Sequence, residues 1–112
     1  MPIEDDLFDK LRIELRRGSL VLAVLAALRE ERYGYTLRAL LDDAGLPIEE
    51  GALYPLLRRL ETQGLLTSEW REEGRNKRFY RLSPEGEETL AQLLAEWNSI
   101  SESIVRLNEG TK

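Results

Sequence analysis

The chain has 112 residues and a net charge of −5, with 42% apolar and 33% charged residues, which points to one soluble folded domain. It has no cysteine and no histidine, so disulfides, thiolate chemistry and the commonest general base and metal ligand are excluded. The longest apolar run, residues 20–28, is far short of the ~20 residues a membrane span needs, and the acidic start "MPIEDDLFDK" lacks the basic-then-apolar pattern of a secretory signal, so a cytoplasmic location is expected.

In chain order, Leu7, Phe8, Leu11 and Leu15 recur at helical spacing among charges and predict a helix over 5–17. Gly18 interrupts the pattern, and Ser19 is placed to cap a second, more buried helix over roughly 20–31. "YGYTLRALLDDAGLP", 33–47, reads as a short helix with Leu37, Leu40 and Leu41 inward, stopped by Gly45 and Pro47. Tyr33 and Tyr35 at its start suit a seal over the core, or a contact to phosphate. The next helix lies within 48–64. Its Leu53, Leu56, Leu57 and Leu60 form one stripe, Gly64 ends it, and Pro55 requires either that regular hydrogen bonding begin near Glu50–Ala52 or that the helix bend there. "LLTSEWR", 65–71, and "RFYRL", 78–82, predict a hairpin with Gly74 and Asn76 at its tip. Ser83 caps a last helix with Pro84 in its first turn. Leu90, Leu93, Trp97, Ile100, Ile104 and Leu107 then recur at 3-4-3-4-3, a coiled-coil seam.

Helix, helix, helix-turn-helix, hairpin, long helix is the order of a mostly α (α+β) winged helix-turn-helix. Residues 1–82, with the N-terminal helix, form the expected DNA-binding domain, and 83–112 the expected dimerisation helix, in one compact unit. Charge supports a nucleic-acid face. Residues 51–81 hold seven cations against four anions, while the remainder sums to −8. Opposite the leucine stripe, the second helix of the pair presents Gly51, Pro55, Arg58 and Thr62, flanked by Ala52, Tyr54 and Arg59. Ala52 is small enough to meet a thymine methyl, Tyr54 can donate to phosphate, and Arg58 and Arg59 suit phosphate or guanine. Arg75, Lys77 and Arg78 would form a wing over adjacent phosphates, where each cation releases counterions. Taken alone, a charged hairpin also suits a plain solvated turn. Its place directly after a helix-turn-helix favours DNA.

The seam predicts a homodimer, with Leu7, Phe8 and Leu11 joining Leu90, Leu93, Trp97, Ile100, Ile104 and Leu107 at the interface; the rival is a helix folded back on its own domain. Trp97 with Leu93 suits either filled core volume or a flat slot for a small planar aromatic effector. Acidic pairs such as Asp42–Asp43 and Glu87–Glu88 read as solvated faces and caps. No catalytic residue, metal site or cofactor is expected. A winged helix used for protein contacts, or a carrier of small ligands, are the alternatives of other classes.

The segments "RRGSLVLAVLAALREERYGYTLRALL", "GALYPLLRRLETQGLL" and "GRNKRFYRLSPEGEETL" closely resemble the PadR family of transcriptional regulators, over about Arg17 to Leu90. The resemblance implies a winged-helix homodimer, typically a repressor on an inverted-repeat operator. It places recognition at Ala52, Tyr54 and Pro55 and the wing at Arg75–Arg78, and has the N-terminal helix embrace the partner's C-terminal helix. A single short C-terminal helix resembles the small-member branch, some of which sense flat hydrophobic compounds between subunits. Two features depart from the pattern: Asn76 stands where the family often has proline, and Glu49 and Glu50 open the recognition helix where small polar residues are usual.

Overall fold

The computed structural model describes residues 5–110. Its elements are α1 (Asp5–Ala27), β1 (Arg32–Tyr33), α2 (Gly34–Asp43), α3 (Glu50–Thr62), β2 (Leu66–Glu73), β3 (Arg75–Leu82) and α4 (Pro84–Asn108). The strands form one antiparallel sheet in the order β1-β3-β2. This is the expected winged helix-turn-helix.

One expected break is missing. α1 runs unbroken through Gly18, and the Ser19 hydroxyl donates to the Arg16 carbonyl inside the helix (2.8 Å) instead of capping a new one. A lone glycine costs a helix only about 1 kcal/mol, and Gly18 lacks the left-handed backbone that ends one. The genuine stops are Gly45 and Gly64, with φ of +84° and +85°. After each, the next amide reaches back five residues, Leu46 to Leu41 (2.8 Å) and Leu65 to Leu60 (3.0 Å), which satisfies carbonyls that a helix end leaves bare. α3 begins at Glu50, the first of the two outcomes that Pro55 allowed.

The core is a leucine cluster. Val24, Leu25 and Leu28 of α1 meet Leu37 and Leu41 of α2, the Leu53, Leu56, Leu57 and Leu60 stripe of α3, Leu66, Tyr80 and Leu82 of the sheet, and Leu90 of α4. Burial of each such side chain contributes about 1.5–3 kcal/mol against the chain's lost entropy. Leu90 is only 4% exposed. It belongs to this core and not to an outer seam, because the first turns of α4 are pinned to the domain. There the Ser83 hydroxyl donates to the Gly64 carbonyl (2.6 Å) and accepts from the Gly86 amide (2.9 Å). A Cβ at Gly86 would overlap the Leu65 carbonyl oxygen, so helix and turn approach backbone to backbone.

α1 and α4 also pack on one another. Beyond that contact their apolar residues stay open: Leu7, Phe8, Leu11 and Leu15 on α1, and Leu93, Trp97, Ile100, Ile104 and Leu107 on α4. No helix among the described residues is long and apolar enough to cross a membrane.

Candidate nucleic-acid interface

α3 is amphipathic by construction. With Leu53, Leu56, Leu57 and Leu60 inward, a turn of ~100° per residue places Gly51, Pro55, Arg58 and Thr62 outward. Tyr54 and Glu61, seven residues apart, share one flank, and Ala52 and Arg59 share the other. Ala52, Pro55, Arg58 and Arg59 are all exposed; Tyr54 is half-buried. Glu50 lies in the first turn, where the helix dipole favours a carboxylate. That stabilises the helix but places negative charge where a phosphate would approach.

The hairpin differs from its expectation in length. Its ladder runs from Leu66↔Leu82 to Glu73↔Arg75, with Gly74 alone at the apex (φ +81°). Asn76 is therefore not a tip residue; it lies in β3 opposite Glu72. The expected cations also stand on a regular strand and not in a loop. Alternation along β3 sends Arg75, Lys77 and Phe79 to one face and Asn76, Arg78 and Tyr80 to the other. The two-residue strand β1, which sequence reasoning missed, pairs Arg32 with Tyr80 and Tyr33 with Phe79. Beyond that pairing the ribbon projects as a two-stranded arm.

A groove of about 620 Å³ opens between this arm and the starts of α2 and α3. Tyr33, Tyr35, Tyr54, Arg75, Lys77 and Arg78 line it, with Trp70. So the ribbon's cations and the Tyr54 flank of α3 border one space, and the outer side of α3 adjoins it. Tyr35 is 71% exposed, which overturns its reading as a core seal; Tyr33 is half-buried and packs edge-on to Phe79 at 5.3 Å between ring centroids, while the half-buried tyrosine packed against the core is Tyr54. A Cβ at Gly34 would overlap the Tyr54 hydroxyl oxygen. The tyrosine tip therefore rests on bare backbone, and α2 and α3 are keyed together at the mouth of the groove.

The cations are not equivalent. Arg78 donates from Nε to the Ser68 hydroxyl (2.9 Å) and from Nη2 to the Glu61 carboxylate (3.2 and 3.5 Å). Arg71, not singled out from sequence, donates to Glu69 and Glu31, both at 2.7 Å, and stacks 4.5 Å above the Phe79 ring. The hydrogen bond from Arg71 holds the Glu69 carboxyl below its ordinary range, and the same bond, with the one to Glu31, pushes the Arg71 guanidinium up. Lys77 lies 4.6 Å from the Tyr33 ring centroid, which leaves its ammonium available to an anion. Among the described residues, Arg58, Arg59, Arg75 and Lys77 make no ion pair. The sequence shows one basic cluster; the structure divides it into neutralised and free members.

Burial pushes the Tyr80 phenol above its ordinary value, and the Arg78 charge opposes part of that rise. The described residues contain no group of histidine, cysteine or carboxylate side chains able to hold a metal ion.

Comparison with known proteins agrees with this geometry. The "Transcriptional regulator PadR-like family" matches residues 21–92. The chain is 40% identical over 81 residues to the transcriptional regulator Rv3488 of Mycobacterium tuberculosis, covering 70% of this chain and 76% of that protein. A crystal structure of a PadR family transcriptional regulator from Eggerthella lenta superposes with a TM-score of 0.91 at 46% identity, over 96% of each chain. A PadR-like transcription factor from Bacteroides fragilis gives 0.74 at 33% identity, over 88% of this chain and 98% of that one.

Proposed function

The chain belongs to the PadR-like family of transcriptional regulators, proteins that bind DNA and are not enzymes, and from that premise we propose that it is a homodimeric repressor of an inverted-repeat operator. One observation carries the reading: Arg58, Arg59, Arg75 and Lys77, none of them in an ion pair among the described residues, cluster on α3 and the adjoining ribbon, inside a stretch of net positive charge (residues 51–81) of an otherwise acidic chain. Such a distribution attracts duplex DNA to that surface and repels it elsewhere. α3 enters the major groove, with Ala52, Pro55 and Arg58 toward base edges and Tyr54 and Arg59 toward the backbone. Arg75 and Lys77 rest on flanking phosphates.

Two copies are needed for two half-sites one helical turn apart, ~34–36 Å. The open apolar side chains of α1 and α4 supply the contact. Ile100 is 52% exposed in the single chain, and a stripe of this size in water favours association. Leu7, Phe8 and Leu11 of one copy then cover Leu93, Trp97, Ile100, Ile104 and Leu107 of the other. Residues 5–82 and the helix from 83 onward act as reader and clasp of one unit, in the cytoplasm.

Trp97 is 41% exposed and Leu93 lies one turn before it. In a symmetric pair they face their mates across a narrow gap that suits a small planar aromatic effector. An effector that binds better to a dimer with mis-spaced α3 helices lowers operator affinity by its differential binding and by no more.

The test is a salt series. Binding to a random-sequence duplex is measured by fluorescence anisotropy for the wild type, Arg75→Ala and Lys77→Ala. Each substitution is expected to reduce the slope of log K against log salt by about one unit. Unchanged slopes in both variants refute the wing's role. Absence of binding by the wild type favours a protein-contact module instead.

A further inference from the structure

Of the three ribbon cations, Arg78 is the one built into a network. Its guanidinium meets the Glu61 carboxylate at 3.2 and 3.5 Å and the Ser68 hydroxyl at 2.9 Å, and that hydroxyl donates to Glu61 at 2.7 Å. The same guanidinium lies 5.5 Å from the Trp70 ring centroid and 5.8 Å from that of Tyr80, so two rings flank it. Tyr80 is a core residue. One strand therefore presents a cation that is forked onto a carboxylate, held from behind by a hydroxyl and confined by aromatic faces. The charge of this arginine is already paired with Glu61 through Nη2, and its Nε is engaged, so an additional anion would have to compete with that carboxylate.

The location gives this arrangement its meaning. Glu61 is in the last turn of α3, and Ser68 and Arg78 lie on β2 and β3. β1 supports the ribbon only as far as Phe79. The clamp is thus the last side-chain anchor between the helix and the arm before the apex. From Arg78 to Arg75 the strand rises about 10 Å. A 20° swing about that anchor would carry Arg75 roughly 3–4 Å, enough to exchange a hydrogen bond to phosphate for open water.

Building on the DNA-binding reading above, we propose that Glu61, Ser68 and Arg78 are positioning residues, a clamp that fixes the wing's angle against α3 so that Arg75 and Lys77 reach phosphates while α3 reads bases, and that Arg78 is not itself a phosphate contact. Glu61 is then the telling residue. If only charge mattered, removing a carboxylate beside DNA would strengthen binding. As a positioning residue, its loss weakens binding to the correct sequence.

The experiment uses the full-length chain, a duplex selected by the wild type from a random pool, and a random duplex. Glu61→Gln, which keeps the side chain's shape, is expected to lower affinity for the selected duplex about tenfold and to leave the random duplex within about twofold. Arg78→Gln is expected to do the same and, on the random duplex, where a loosened wing still finds phosphates, to keep the wild-type salt slope within about half a unit, whereas Arg75→Ala loses about one unit there. In the free protein, heteronuclear NOE values for the Arg75–Lys77 amides fall in Glu61→Gln, with unchanged far-ultraviolet circular dichroism. A one-unit loss of slope in Arg78→Gln overturns the proposal, as does unchanged or tighter binding of the selected duplex by Glu61→Gln. If the wild type selects no duplex, the DNA reading fails on its own account, and unchanged amide NOE values in Glu61→Gln would still refute the clamp.

Discussion

Adding one methyl group at Gly34 tests the keyed contact between α2 and α3. An alanine Cβ there would overlap the Tyr54 hydroxyl oxygen and stand 2.7 Å from Cζ and 3.0 Å from Cε1 of the same ring. These are below normal van der Waals distance, and Gly34 is buried, so either the ring or α3 must move. Overpacking of this kind costs about 1–3 kcal/mol. Alanine at a compatible backbone position returns about 0.4–1 kcal/mol by restricting the unfolded chain, and Gly34 is not at positive φ. The net expectation is a loss of about 1–2 kcal/mol. For a domain of this size that lowers Tm by about 4–8 °C. Thermal and urea denaturation at one fixed protein concentration measure it, since the stability of the proposed dimer would depend on concentration. The decisive variant is Gly34→Ala with Tyr54→Phe. Losing the hydroxyl oxygen removes the worst overlap and leaves the ring-carbon contacts, so the double variant should recover about half the loss. Simple additivity of the two single effects, or a Gly34→Ala protein as stable as wild type, would refute the reasoning.

Ile100→Asp places a charge in the apolar stripe of α4 and is expected to give monomers in sedimentation velocity at micromolar concentration, with the helical signal retained; a persistent dimer would contradict the assigned interface. Trp97→Ala should weaken binding of planar aromatic dyes at least tenfold by fluorescence anisotropy of the dye; equal affinity removes the slot. Because burial raises the Tyr80 phenol in the folded state, its contribution to stability is complete below about pH 10 and is lost as pH climbs through the raised folded value. Urea midpoints between pH 8 and 11 should therefore fall less steeply in Tyr80→Phe than in wild type, and parallel curves would sink that assignment.

What the sequence determined by itself is whatever acts over a few residues. The leucine stripe of α3, the glycine stops at 45 and 64 and the Ser83 cap all appear where their spacing put them. Each is a bond or a packing pattern between near neighbours, so propensity and periodicity suffice to find it. The order of the elements then restricted the fold to a winged helix-turn-helix. The tertiary structure decided the rest. A glycine at 18 looked like a stop because local cost was all that could be weighed; the surrounding helix outweighs about 1 kcal/mol. Two residues of β1 carry no periodic signal and exist only because β3 offers an edge. Leu90 and Ile100 sit in one heptad pattern, yet the first is core and the second open, because the domain covers only the start of α4. Arg75, Lys77 and Arg78 read as equals along the chain. Whether a cation is free or spent depends on the carboxylate nearest in space, and for Arg78 that partner stands seventeen residues away on another element.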